Sequence, residues 1–262
     1  MSKGIQRAVD HVVWPLVGLA LAVGLWSLGA RQLSDVEAIR NAFAPTAGFA
    51  ALGRLLAAGD LWEHIALSLQ RIGISLLLAL VIAVPLGIWV GLSPLFAKLT
   101  GTLFQFLRMV SPLSWMPLAV MALGVGEAPV VFLLTFAAVW PIMLNTAAGV
   151  AALDRSWLQL AHSLSATRGE VVRHIVLPGI VTHVLTGFRL ALGIAWIVLV
   201  PAEMLGVSAG LGYFILDTRD RLAYSELTAA IILIGILGYA LDYAARFVHA
   251  RWLHAQPAAP LK

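Results

Sequence analysis

The sequence predicts an all-α membrane protein with six transmembrane helices. Of its 262 residues, 61% are hydrophobic and only 11% are charged, whereas a soluble domain carries about 25% charged residues. Six apolar stretches reach the roughly 20 residues that a helix needs to cross a bilayer. Segments of this length must be helical, because lipid cannot pair with exposed backbone amides. The stretches comprise residues 12–30, 65–92, 99–125, 129–150, 179–207 and 227–248.

Composition also excludes several kinds of site. The chain has no cysteine, which rules out disulfides, thiolate metal sites and cysteine nucleophiles. A formal net charge of +4 on so apolar a chain does not indicate a nucleic-acid binder. The histidines show no convincing metal-ligand spacing, and we expect His162, His174 and His183 on polar faces or near lipid headgroups. The sequence therefore predicts neither a metal site nor a cofactor site.

The first apolar stretch follows Lys3 and Arg7, as a secretion signal would. It is longer than the roughly 7–15 residues of a signal-peptide core, which favours a retained membrane helix. A cleaved signal stays open as the alternative, with Ser27 and Gly29 as a weak cleavage site. Residues 31–63 then mix charge with apolar residues at helical spacing. We expect a surface helix broken near Pro45, although a plain connector fits nearly as well.

Small residues and prolines mark the second stretch. Ala83, Gly87 and Gly91 share one helix face, which predicts close packing against another helix. Pro85 is expected to kink the same helix.

Prolines interrupt the third and fourth stretches as well. Pro112 and Pro117 break the third, and Pro141 lies in the fourth. Such breaks free backbone carbonyls and are tolerated where they line a cavity. Interfacial aromatic belts are an equal alternative for the tryptophans. The side chains predicted to line the cavity are Ser111, Ser114, Trp115, Trp140 and Asn145.

The polar segment 154–178 separates two apolar stretches. Asp154 is placed to cap a helix on which Trp157, Leu160, Ala161 and Leu164 share a face. Thr167 and Glu170 have the spacing of a capping box that opens a second short helix. Pro178 is expected to end that helix and to start the fifth span. The two helices should meet at a bend. Their apolar face favours docking into a protein groove over lying on lipid, which usually requires more basic residues.

Three charged residues lie inside or near apolar stretches: Arg108, Arg189 and Glu203. A charge at the bilayer centre costs about 2.5–3.5 kcal/mol on insertion scales, so such residues usually face protein or a water-filled path. We predict that the arginines help an anion through or hold the helices of its path. Two alternatives stay open: the arginines snorkel to an interface, or one of them pairs with Glu203.

The loops predict the orientation. With six spans, Lys and Arg number nine on the side of the termini and five on the other side. Because basic residues concentrate in cytoplasmic loops, both termini and the polar segment are predicted to be cytoplasmic.

Two motifs bear on catalysis. The chain has no G-x-x-x-x-G-K-[ST], so any ATP hydrolysis belongs to another chain or domain. Residues 206–210 match G-x-S-x-G, but that nucleophile motif needs a strand before it, and here an apolar helix precedes it. We therefore expect no enzyme activity from this chain.

The polar segment carries a resemblance to a known family. Membrane subunits of bacterial ABC importers have a cytoplasmic loop of the form Glu-Ala-Ala, three residues, Gly, nine residues, Ile, one residue, Leu-Pro. This chain keeps the spacing and the ending Ile175, Leu177, Pro178, and departs at Gln159, Leu160 and Ser165. Residues 111–150 and 185–215 extend the resemblance to permeases of the taurine, alkanesulfonate, nitrate and bicarbonate group.

This resemblance implies a type I importer fold in the bacterial inner membrane, with a core at 61–250, an N-terminal helix and loop at 1–60, and a tail at 251–262. It implies a second permease copy, ABC ATPase subunits and a periplasmic binding protein as partners. An ATP-independent carrier or channel is the alternative. The residues that would couple the permease to the ATPase are Gln159, Leu160, Ala161, Leu164, Ser165, Ala166, Thr167, Arg168, Gly169 and Glu170.

Overall fold

A computed structural model describes residues 3–32 and 37–255, and these residues are helical with no β-strand. Residues 256–262 of the predicted tail lie outside the described residues. The α-helices are α1 (Lys3–Gln32), α2 (Glu37–Ala42), α3 (Pro45–Ala58), α4 (Asp60–Leu92), α5 (Pro94–Met109), α6 (Met116–Leu123), α7 (Glu127–Ala151), α8 (Arg155–Ser163), α9 (Arg168–Val171), α10 (Leu177–Gly206), α11 (Leu211–Asp220) and α12 (Tyr224–Ala255). A 3₁₀ turn (Pro112–Trp115) precedes α6, and a π-helical turn (Val172–Val176) precedes α10.

Among the described residues, five helical segments are long and apolar enough to cross a membrane, and a bent pair would be a sixth. The five segments are Val13–Ala30, Asp60–Leu92, Glu127–Ala151, Arg168–Gly206 and Tyr224–Trp252. The pair Pro94–Met109 and Pro112–Leu123 bends by 89°. Each of the six predicted stretches therefore coincides with one of these segments.

The bend confirms that the third stretch is interrupted, but only one of the two prolines takes part. Pro112 opens the 3₁₀ turn directly after the break. Pro117 lies in the first turn of α6, where a missing N–H costs no hydrogen bond. The prediction that Pro117 also breaks the span was wrong for this reason.

The chain divides into two compact units, one formed by Met1–Trp62 with Phe214–Gly235 and the other by Glu63–Tyr213 with Ile236–Lys262. Within the first unit, α3 begins at Pro45 as predicted. Its Gly48 lies so close to α12 that an added Cβ would meet Thr228 at 2.6 Å. The rings of Phe43 and Tyr224 are 5.5 Å apart. A packed pair of helices therefore anchors the loop that the sequence placed between the first two spans.

The second unit is built around α7, whose buried residues form the centre of its apolar core. Against α7 packs the predicted small face of α4. A Cβ on Gly87 would lie 2.6 Å from the carbonyl oxygen of Met143, and Gly91 lies equally close to Val150. On the other side, a Cβ on Gly187 of α10 would lie 2.9 Å from the Pro141 carbonyl oxygen. Helices α4, α7 and α10 thus pack backbone against backbone.

Candidate functional site

The polar segment folds as two short helices joined at a bend, as predicted. The carboxylate of Asp154 accepts a hydrogen bond from the Ser156 N–H and caps α8. Thr167 and Glu170 form the predicted capping box of α9, in which the Thr167 N–H donates to Glu170 Oε2 at 2.7 Å. Capped ends satisfy donors that would otherwise fray the helix. Both arms of the segment are therefore locally stabilised.

The bend between the arms is a Schellman turn centred on Ser165. Its backbone is left-handed, with φ of 55°. The Ala166 N–H donates to the Ala161 carbonyl and the Ser165 N–H donates to the His162 carbonyl, both at 3.0 Å. This is the position at which the importer loop carries glycine, the residue that adopts such a φ without strain. The sharp turn therefore persists although serine replaces glycine.

The second arm runs into α10 without a stop. The Leu177 N–H donates to the Val172 carbonyl, which closes the π-helical turn. Pro178 lies in the first turn of α10, so the prediction that it starts the fifth span is confirmed. The prediction that it ends the second short helix was wrong, because the π-helical turn Val172–Val176 continues that helix into α10. The bent segment is thus an extension of the α10 rod.

The two arms enclose an apolar groove of about 350 Å³. Ala161 at its floor is buried, whereas Leu164 at its rim is 74% exposed and Trp157 is 59% exposed. Leu160, Val171 and Ile175 also line it. Large apolar side chains exposed together around a concavity mark a surface that binds another molecule. We call this surface, formed by residues 157–175, the docking groove.

At the opposite end of α10 lies a buried ion network that the sequence analysis missed. Glu203 is fully buried and accepts from Arg71 Nη1 at 2.5 Å, from Ser68 Oγ at 2.7 Å and from the Gly212 N–H at 2.8 Å. Arg71 is 2% exposed and also pairs with Glu127 through Nε and Nη2. The network joins α4, α7 and α10.

The same network holds the turn between α10 and α11. Arg71 donates to the Ala209 carbonyl at 2.8 Å, and Ser68 Oγ accepts from the Leu211 N–H at 2.9 Å. Gly210 has φ of 128° and lies so close to Arg71 and Glu203 that a Cβ would overlap both. One signal in the sequence could have revealed this site. Arg71 lies inside the apolar stretch 65–92, and a charged residue inside such a stretch usually faces protein or a water-filled path, as was argued for Arg189.

Comparison with known proteins decides the family. The model for "Binding-protein-dependent transport system inner membrane component" matches residues 83–254. The chain belongs to this family. This inner membrane component is 35% identical over 193 residues to the nitrate import permease protein NrtB of Leptolyngbya laminosa, covering 74% of this chain and 69% of the relative.

Two further relatives have different substrates in their names. The bicarbonate transport system permease protein CmpB of Synechococcus elongatus is 34% identical over 269 residues, covering 96% of this chain and 92% of the relative. The taurine transport system permease protein TauC of Escherichia coli is 34% identical over 191 residues, covering 73% and 70%. The predicted permease family is confirmed, and these relatives transport chemically distinct solutes.

A solved structure confirms the predicted fold. A chain of the MetNI methionine ABC transporter in an inward-facing conformation superposes with a TM-score of 0.57 at 17% identity. The match covers 73% of this chain and 93% of that chain. This inner membrane component therefore has the type I importer fold.

The permease brings three of its predicted path residues together. Arg108, Trp140 and Asn145 line a cavity of about 380 Å³ between α5, α7 and α10. The backbone break at Val110 and Pro112 forms part of the same wall. Ser111 and Ser114 are exposed near the break. Trp115 packs against Phe136 at a ring distance of 5.6 Å instead.

The remaining two predicted path residues form ion pairs in the permease. Arg189 Nε donates to Asp242 at 3.0 Å, and Asp242 also pairs with Arg246. Glu203 pairs with Arg71, so neither Arg108 nor Arg189 is its partner. Whether any of these residues contacts a transported solute stays a prediction.

The nucleophile motif has no catalytic setting in the permease. Ser208 lies in the turn between α10 and α11, after a helix and not after a strand. Within the described residues, no group of three or more metal-ligating side chains could hold a metal ion.

Proposed function

We propose that this chain is the permease subunit of an ATP-driven importer for a small oxyanion of the nitrate, bicarbonate or sulfonate type. It would form the path together with a second permease copy, a periplasmic binding protein would deliver the solute, and ABC ATPase subunits would supply the energy. The names of the relatives support the substrate class.

The observation that carries this proposal is the docking groove on a rigid extension of α10. A cluster of large apolar side chains exposed around a concavity is typical of a surface that binds a partner. The caps at Asp154 and Thr167 keep its two arms helical, and the π-helical turn joins the second arm to a span. Movement of a partner seated in the groove would therefore pull directly on α10. An ATP-independent carrier gives no role to such a groove.

The groove is tested by placing a charge at its rim. We expect Leu164→Glu to abolish co-purification of the ATPase subunit, because docking would bury an unpaired carboxylate. Gln159→Glu is the matched control, since it adds the same carboxylate to an exposed position of the same helix and restores the residue of the importer loop. The measurement is the ATPase-to-permease ratio after affinity purification.

Two results would contradict the docking proposal. One is an unchanged ratio in Leu164→Glu, and the other is an equal loss in Gln159→Glu. Size-exclusion profiles of both variants establish that each permease is folded.

We also propose that both termini and the docking groove face the cytoplasm of a bacterium, as the loop charges indicate. The absence of cysteine makes this directly testable, because any thiol must be the introduced one. Ser163 near the groove and Ser208 after α10 are both exposed. We expect a membrane-impermeant maleimide to label Ser208→Cys on intact spheroplasts, and Ser163→Cys only after permeabilisation. Labelling of Ser163→Cys on intact spheroplasts would overturn the orientation.

A further inference from the structure

We infer that the cavity between α5, α7 and α10 is a binding site for a monovalent oxyanion, so that this chain itself selects the solute. The inference rests on the proposed function, because it assigns the solute of the transport path. It depends on two polar groups in the cavity, on the position of the cavity in the unit and on the apolar character of its walls.

The first group is the guanidinium of Arg108. Within the described residues it forms a hydrogen bond to Gln105 Oε1 at 3.0 Å and no ion pair with a carboxylate. Arg71 and Arg189, in contrast, are each paired with an acid. Arg108 is exposed at the cavity and therefore accessible to a solute. A guanidinium presents N–H donors in a plane that matches an oxyanion.

The ring of Trp140 forms part of the cavity wall. Its indole Nε1 is buried and has no hydrogen-bond partner among the described residues. Because a buried atom cannot contact a solute in the cavity, Trp140 contributes an apolar wall and not a donor.

The second group is the amide of Asn145. Its Nδ2 donates one hydrogen bond to the Pro141 carbonyl at 2.8 Å, one turn earlier on α7. That bond fixes the orientation of the amide, and the amide has a second N–H. Among the described residues, no acidic side chain lines the cavity. The groups offered to a solute are therefore the guanidinium and this amide.

The position of the cavity and the apolar character of its walls agree with a small anion as its solute. The lining residues of α7, Ala137 to Asn145, lie ten residues after the start of that helix and six before its end. Secondary transporters bind their solutes near the midplane beside discontinuous helices, and the cavity of this permease likewise has the 89° break in its wall. A volume of about 380 Å³ lies at the small end of ligand sites. One arginine balances a single charge, and the apolar walls penalise a second charge.

Binding to the full-length chain in lipid nanodiscs tests the inference without ATP or a binding protein. Titration calorimetry with sodium nitrate, sodium bicarbonate and sodium ethanesulfonate should show saturable binding of at least one of the three, and none of sodium sulfate. Arg108→Gln should weaken that binding by about tenfold or more, the cost of losing a charged hydrogen bond. Arg219→Gln, which removes an exposed arginine outside the cavity, should bind as the wild type does.

The thermal unfolding midpoint of Arg108→Gln separates binding from structure. Arg108 is exposed and forms no ion pair with a carboxylate among the described residues, so the midpoint should equal that of the wild type while the affinity falls. Absence of binding by all three anions, or wild-type affinity in Arg108→Gln, overturns the inference.

The two proposals fail separately in this design. Leu164→Glu should keep the affinity for the anion, and Arg108→Gln should keep the ATPase in the purified complex. Loss of anion binding with normal ATPase capture refutes the cavity alone. Normal anion binding with ATPase capture insensitive to Leu164→Glu refutes the docking groove alone.

Discussion

Replacing Arg71 by leucine is expected to lower the free energy of unfolding by about 3–5 kcal/mol, the cost of leaving one member of a buried ion pair alone. Glu203 is fully buried, and without Arg71 its carboxylate keeps only Ser68 and the Gly212 N–H as donors. The Ala209 carbonyl also loses its donor, which loosens the turn after α10. The measurement is the thermal unfolding midpoint of the purified permease in detergent.

Two further variants identify which half of the network matters. Glu127→Gln should cost less than about 1 kcal/mol, because Glu127 is 60% exposed and exposed pairs contribute little. The double variant Arg71→Met/Glu203→Leu should regain much of the stability lost in Arg71→Leu, since two apolar side chains can replace a buried pair. Equal losses in Glu127→Gln and Arg71→Leu would place the stabilisation at the exposed pair and contradict the prediction.

Regular elements of this permease could be predicted because their signals are local. Among the described residues, five of the six apolar stretches coincide with helices long enough to cross a membrane, and the third coincides with the bent pair. The caps at Asp154 and Thr167 depend on side chains two or three residues from their partners, so spacing alone reveals them. The small face of α4 was predicted for a similar reason, since Gly87 and Gly91 recur at a helical interval.

Pairings between distant helices could not be predicted in this way. Arg71 and Glu203 are 132 residues apart, and nothing in the sequence states which arginine reaches Glu203. The left-handed φ of Ser165 was also hidden, because serine rarely adopts it. Only the hydrogen bonds of the whole turn, from Ala166 to Ala161 and from Ser165 to His162, hold that residue in place.

The ion network, the cavity and the docking groove lie at different positions along α10. The ion network fixes α10 to α4 and α7 near Glu203, and the docking groove extends α10 beyond Leu177. About 26 residues separate the two, roughly 39 Å at 1.5 Å per residue. Between them, the cavity is lined by α10 near Leu190 and Ile194. If α10 is held near Glu203 and displaced at Leu177, the cavity wall at Leu190 and Ile194 is displaced as well, because it lies between the two points.

Because α4 packs closely against α7, alanine substitutions at two glycines of α4 should change the free energy of unfolding in opposite directions. Gly87→Ala should destabilise the permease by about 1–3 kcal/mol, the usual cost of overpacking, because the new Cβ would lie 2.6 Å from a backbone carbonyl that cannot move alone. A Cβ added at Gly73 would have no neighbouring atom of the described residues within 4 Å. Gly73→Ala should therefore stabilise by about 0.5–1 kcal/mol through helix propensity. Unfolding midpoints of the two variants measure the difference, and a loss of equal size at both positions would show that the close approach of α4 and α7 does not determine the effect.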